Sequence, residues 1–140
     1  MQITQLSGEL DLQRQRQGNG WQISSEYLRM HTPHIESQSR FIVSLPEDAP
    51  AFMDLTTRYQ NGNAEFISRY LPASIMRPNT LDWIDRSILS GRIVQGGYQF
   101  YGNLRDMPFR SFQGVSLAVF DVEQAKLNYQ KNWPQIDGID

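Results

Sequence analysis

The sequence predicts a mainly β, α+β fold in which two short helices interrupt an antiparallel sheet, in the order ββββ-αα-βββ. Apolar and polar residues alternate over most of the chain, clusters of Gly, Asn and Pro separate the alternating runs, and one central stretch changes to helical spacing. The 140 residues, 39% of them hydrophobic, suffice for one domain with its own core. We expect a β meander over residues 1–61, a two-helix insertion over 62–91 and a second β segment over 92–140.

Four strands are predicted in the first segment. The first alternates over residues 6–12, as in a strand with one buried face, and the second begins at Trp21 after a turn. In the second strand the apolar residues change from odd to even positions near Ser24–Glu26, which predicts a β-bulge. Residues 31–39 are typical of a loop. The other two predicted strands of this segment are residues 41–45 and 51–60.

The helical insertion has start and stop signals. Asn63 is a candidate N-cap for a short helix over residues 64–70, because its side chain can accept a hydrogen bond from the first turn. A second helix is predicted to begin at Pro78–Thr80, with Gly91 as its C-terminal cap. Its apolar stripe consists of Leu81, Ile84 and Ile88.

The last segment returns to strand patterns. Residues 94–102 alternate, residues 103–114 form a predicted loop, and Ala125, Leu127 and Tyr129 form a last short alternation. Between the loop and this alternation, residues 115–122 are apolar on both faces in the middle. Such a run is typical of a central strand that is covered on both sides.

Composition excludes several classes of function. The net charge of −2 and the scattered arginines do not indicate a nucleic-acid partner. The absence of cysteine excludes thiol catalysis, disulfides and thiolate zinc sites. No run approaches the roughly 20 apolar residues of a membrane span, and the first residues lack the features of a signal peptide. We therefore expect either a cytosolic chain or an internal segment of a longer protein.

The motifs that could support chemistry have simpler interpretations. His31 and His34 flank a proline without an adjacent ligand set, so an exposed loop is favoured over a metal site. Asp82 and Asp85 could form an acid–base pair, but a structural role is favoured: Asp82 lies in the first turn of the predicted helix, where a negative charge interacts favourably with the helix dipole, and Asp85 is a solvated neighbour of Arg86 or Arg77. The glycine-rich residues 96–102 lack a phosphate-binding pattern and are typical of a bulge or a close backbone approach. We expect no enzyme activity, no metal and no cofactor.

Large apolar residues recur on one face of the predicted strands. They belong either to an ordinary core under the two helices or to a concave hydrophobic surface that the helices leave partly open. These lipid-groove candidates are Leu10, Trp21, Phe41, Val43, Met53, Leu55, Tyr98, Phe100 and Phe120.

An ordered series of short motifs resembles the YhdP family, large AsmA-like, TamB-related envelope proteins of Gram-negative bacteria. The series runs over residues 51–140 and is looser over residues 1–50. Its elements are Arg-Tyr-Leu-Pro at 69–72, Met-x-Pro at 76–78, Leu-x-Trp-Ile-Asp-Arg at 81–86, Gly-Arg-Ile at 91–93, Gly-x-Leu-x-Asp-x-Pro-Phe at 102–109, Gln-Gly-Val at 113–115, Phe-x-Val at 120–122, Ala-x-Leu-x-Tyr-x-x-x-Trp-Pro at 125–134 and Asp-Gly at 137–138.

This resemblance implies a curved, repeating β-groove whose hydrophobic lining shields phospholipid acyl chains as they cross the periplasm. It implies that the chain is a periplasmic segment of a protein anchored in the inner membrane. The implied partners are acyl chains and neighbouring repeats, with membrane contact only through other parts of the full protein. The alternative is a structural or interaction β-domain of an envelope protein, without a lipid conduit.

Overall fold

The fold consists of one antiparallel sheet with short helices, as seen in a computed structural model that describes residues 2–16, 19–70, 78–127 and 136–139. A 3-10 helix spans Ala64–Tyr70, the helix α1 spans Pro78–Ser87, and a short 3-10 turn spans Leu104–Asp106. The strands are β1 (Gln5–Gly8), β2 (Asp11–Arg14), β3 (Gly20–His31), β4 (Glu36–Pro46), β5 (Phe52–Asn63), β6 (Ile88–Asn103), β7 (Val115–Leu127) and β8 (Ile136–Ile139).

The strands pair as a meander in the order β1-β3-β4-β5-β6-β7-β8, and β2 also pairs with β3 beside β1. Every pairing is antiparallel. Sequential strands therefore lie next to each other after β3, as short connections between antiparallel strands require. The predicted mainly β fold with two helices between its β segments is confirmed.

The predicted bulge in the second strand is confirmed, and it coincides with a break in the strand beside it. The register between β3 and β4 shifts between Ser25 and Leu28. On the other side of β3, pairing ends at Gly8 in β1 and resumes at Asp11 in β2. The expected single strand over residues 6–12 is thus two four-residue strands. All of their residues are exposed, so the prediction that the first strand is half-buried was wrong.

The predicted helix boundaries were partly wrong. Asn63 Oδ1 accepts a hydrogen bond from the Glu65 N–H at 3.1 Å, as a cap should, but the helix that follows is of the 3-10 type. The second helix ends at Ser87, and Ile88 already begins β6. Gly91 lies inside β6 near a register shift and does not cap a helix. Pairing with β7 therefore overrides the helical spacing at this point.

β7 is not the strand covered on both sides that its composition suggested. Val115, Leu117 and Val119 are 42%, 54% and 58% exposed. Among the described residues, β8 pairs with β7 only at Ala125 and Leu127. Apolar composition alone did not distinguish a buried strand from an exposed one.

In the described ranges, the core consists of two buried clusters. One consists of Ile35, Ala64, Ile67 and Ile93 and lies where the helices meet the sheet. The other consists of Tyr98, Phe100 and Phe109 and lies under the segment between β6 and β7. Both clusters lie on the β5–β6 part of the sheet, so burial is concentrated at one side of the molecule.

Candidate functional site

Strand register places most of the lipid-groove candidates on one face of the sheet. Phe41 pairs with Leu55, which pairs with Phe100, and directly opposed residues point to the same face. Because side chains alternate along each strand, every second residue before and after this row points to the same face, which assigns the other candidates. The candidates on this face, which we term the apolar face, are Trp21, Phe41, Val43, Met53, Leu55, Tyr98, Phe100 and Phe120.

Leu10 is the exception among the candidates. It lies between β1 and β2, outside the paired residues, and is 67% exposed. Leu10 was predicted to share the apolar face because it continues the alternation of residues 6–12. The break between β1 and β2 interrupts that alternation at Leu10.

The apolar face also contains residues that were not nominated. Ile23 is opposite Val43, and Leu45 is opposite Trp21. Leu28 and Met30 join this face beyond the bulge, where they oppose Ser39 and Ser37. Period-two spacing in β4 could have identified Leu45, whereas Leu28 and Met30 required knowledge of the bulge position.

One part of the apolar face is covered by the helices. The 3-10 helix packs against β5 and β6, and α1 packs against the 3-10 helix. Tyr59 and Phe120 of the apolar face pack against the cluster at this point, with their rings stacked 5.6 Å apart. Phe120 is therefore partly enclosed by the chain itself.

A second part of the face is covered by Phe109. Its ring lies 5.4 Å from the Phe100 ring, and Phe100 is 0% exposed. Tyr98 is 8% exposed in the same cluster. Tyr98 and Phe100 are thus core residues in this structure, and Met53 and Leu55 of β5 pack against the same cluster. The β3 and β4 candidates, which belong to neither cluster, are Trp21, Phe41 and Val43.

The rest of the apolar face is open at its surface. Trp21 and Leu45 are 49% and 39% exposed, and Leu6 and Leu12 of the edge strands are 57% and 62% exposed. We refer to the apolar face of β1–β4 as the open half and to that of β5–β7 as the covered half. An exposed apolar surface of this extent on a sheet is typical of an interaction or ligand surface.

Hydroxyl groups are interspersed on the apolar face. Ser39 Oγ and Thr57 Oγ1 form a hydrogen bond of 2.8 Å, and the Tyr98 hydroxyl lies 3.1 Å from Ser116 Oγ. Burial, with a smaller contribution from nearby Tyr98, raises the pKa of Tyr59 to about 12. Tyr59 therefore stays neutral at physiological pH.

The opposite face, which we term the polar face, bears the charges. Arg40 and Asp54 form an ion pair of 3.8 Å, and His31 lies 3.8 Å from Glu36. A hydrogen bond from Gln60 lowers the pKa of the Glu36 carboxyl, with smaller contributions from a hydrogen bond from Asn61 and from the electrostatic effects of His31 and Arg29, against the opposing effect of burial. Arg40 and Asp54 lie on the adjacent strands β4 and β5, so their opposite charges offset each other as in other cross-strand pairs.

The other titratable candidates have structural contacts. His34 stacks on Phe66 with ring centres 3.9 Å apart. The Ser68 hydroxyl donates a hydrogen bond to the Asp85 carboxylate, and the backbone carbonyl of Asp82 accepts one from the Arg86 side chain. Within the described ranges, no group of three or more His, Asp or Glu side chains is arranged to hold a metal ion.

Comparison with known proteins identifies one family. A family model described as YhdP protein matches residues 1–140. No curated protein and no solved structure matches the chain. In the part of the chain that the structure describes, no helix is both long and apolar enough to cross a membrane.

Proposed function

Because the chain belongs to the YhdP protein family of envelope proteins, we propose that its apolar face is a segment of a hydrophobic groove for phospholipid transport between the inner and outer membranes. In this proposal the segment lies in the periplasm, the full protein is anchored in the inner membrane, and the transport supports the outer-membrane barrier. The role is not enzymatic and involves no nucleic acid. Its partners are acyl chains and neighbouring repeats of the full protein.

The observation that carries the proposal is the open half of the apolar face. Trp21 and Leu45 present large apolar surfaces to the outside, beside half-buried Val43. Exposing an acyl chain to water costs about 0.8 kcal/mol for each methylene, so even partial shielding of a chain is worth several kcal/mol. A row of such side chains across neighbouring strands supplies that shielding without any specific pocket.

The distribution of charge supports the same assignment. The paired positions of β3–β6 on the apolar face hold only uncharged residues. On the polar face of the same strands, Arg29, Arg40 and Arg58 are exposed. An acyl chain would therefore meet no desolvated charge on one face and several charges on the other.

Photo-crosslinking from neighbouring residues of one strand tests the proposal. In the full-length protein in cells, a benzophenone amino acid replaces Phe41 on the apolar face or, as the matched control, Ile42 on the polar face. Both residues are half-buried and differ mainly in the direction of the side chain.

Phospholipid adducts, detected by mass spectrometry, are expected at Phe41 and not at Ile42. Equal adducts at both positions, or none at Phe41 in a folded protein, would remove the basis for a groove on this face.

The alternative is a structural β-domain that binds another envelope protein, and the exposure of β7 favours it. Val115, Leu117 and Val119 form an exposed apolar row beside a strand edge that the described part of β8 pairs only near its end. Such an edge can accept an added strand. In that case the same photo-crosslinker at Val115 should yield a protein adduct, while Phe41 yields no lipid.

A further inference from the structure

A socket on the polar face surrounds one glycine. Gly97 of β6 lies between Arg58 of β5 and Val119 of β7. The flanking rows on the same face are Thr56, Gln99 and Leu117 on one side and Gln60, Gln95 and Asp121 on the other. The side chains of these residues surround Gly97, which has none, and they line an open depression of about 670 Å³.

The fold itself does not require glycine at position 97. A Cβ atom there would meet only the Thr57 carbonyl oxygen at 3.7 Å, an ordinary van der Waals contact. At the preceding Gly96, by contrast, a Cβ would lie 2.3 Å from the Phe120 ring. Glycine weakens a strand interior, and one setting in which it occurs, besides bulges and bends, is a site that a ligand or another backbone approaches closely.

The rim of the socket offers both donors and acceptors. Arg58 is exposed and, among the described residues, has no ion-pair partner. Gln95 donates its amide N–H to Asp121 at 2.6 Å, which leaves the Gln95 carbonyl oxygen free to accept from a ligand. The opposite wall is aliphatic, since Leu117 and Val119 are more than half exposed.

We propose that this socket binds an acidic pyranose unit of a saccharide. A pyranose has hydroxyl edges that match amide and carboxylate groups and a C–H face that matches aliphatic side chains and a glycine floor. The unpaired guanidinium of Arg58 selects a sugar that bears a carboxylate, because arginine binds carboxylates in a bidentate manner.

A second depression extends the socket along the sheet. It has a volume of about 410 Å³, shares Arg58, Tyr59 and Gln60 with the first, and continues to Glu36 of β4 and Arg29 of β3. From β3 to β7 there are four strand spacings of about 4.8 Å, or about 19 Å in total. The surface therefore fits an oligosaccharide lying across the strands.

Titration of the isotope-labelled chain with trigalacturonic acid, followed by amide NMR shifts, tests this proposal. Shifts are expected at Gly97, Gln99 and Val119. Maltotriose, a neutral trisaccharide, should bind more weakly. If trigalacturonic acid shifts none of these amides, or if inorganic phosphate alone causes the same shifts at the same concentration, there is no saccharide site.

Substitutions separate binding from folding. Gly97→Val fills the socket and should weaken binding on the order of tenfold or more, with no loss of thermal stability. Ser44→Val, which adds the same side chain elsewhere on the polar face, should bind as the wild type does. Unchanged binding by Gly97→Val would overturn the proposal, as would its unfolding, because the glycine would then be structural.

Arg58→Gln provides a readout that does not depend on the glycine. It should weaken trigalacturonic acid binding and leave maltotriose binding unchanged. An equal loss for both sugars would contradict the role of the guanidinium. The socket and the proposed lipid surface lie on opposite faces, so lipid crosslinking at Phe41 and saccharide binding succeed or fail independently.

Discussion

The two halves of the apolar face have similar residues and different surroundings. In the covered half, Phe100 is fully buried beneath Phe109, and Tyr59 and Phe120 pack against the helix cluster. In the open half, Trp21 and Leu45 remain exposed at 49% and 39%. Apolar residues on one face of a sheet can thus serve stability in one region and remain available for binding in the next.

The largest loss of stability is expected when an aromatic ring is removed from the covered half. Phe100→Ala should destabilise the fold by about 3–5 kcal/mol, because it removes a fully buried ring and leaves a cavity. Val43→Ala, in the open half, should cost only about 1 kcal/mol, since it removes two methyl groups from a half-buried side chain.

Chemical denaturation of both variants measures this difference. Similar losses at Phe100 and Val43 would contradict the division of the face into a covered half and an open half.

The next effect is a loss of stability at alkaline pH that is specific to Tyr59, which packs against both core clusters. The pKa of its hydroxyl is raised from 10.0 to about 12, so the folded state holds the proton more tightly than the unfolded state does. Stability is therefore fully present below pH 10 and falls as the pH rises towards 12, by at most about 2–3 kcal/mol.

Denaturation of the wild type and of Tyr59→Phe between pH 8 and about 12 isolates this contribution. Tyr59→Phe should lose less stability over that interval. Parallel curves for the two proteins would show that Tyr59 ionises as easily in the folded state as in the unfolded state.

The smallest effect concerns Ser25, a buried hydroxyl at the bulge in the open half. Its Oγ has no hydrogen-bond partner among the described residues. Ser25→Ala removes an unsatisfied polar group and should stabilise the fold by about 1 kcal/mol. Ser39→Ala is the matched control and should destabilise, because Ser39 is bonded to Thr57. A loss of stability in Ser25→Ala would indicate that the hydroxyl has a partner.

Sequence reasoning predicted what depends on local alternation. The β4 and β5 candidates share a face because regular period-two spacing continues through both strands without interruption. It also located the bulge, where the apolar residues change parity after Ile23. It could not separate Phe100 from Phe41, because burial of Phe100 depends on Phe109, which belongs to a predicted loop.

Other features of the site depend on register between distant strands. The socket around Gly97 combines residues of three strands, and neither their pairing nor the space at the glycine is visible in one strand alone. The exposure of Leu117 could not be predicted either, because the apolar sequence of a strand does not show which other residues cover it.

The division of the edge strand into β1 and β2 also governs how this sheet can meet other chains. A long, flat, regular edge offers continuous backbone donors and acceptors and invites uncontrolled pairing between molecules. In the part of the chain that the structure describes, the strand beside β3 consists of two runs of four residues, separated at Glu9 and Leu10. A strand that pairs with β1 or β2 can match only four residues before the break, so this part of the sheet does not offer a long regular edge.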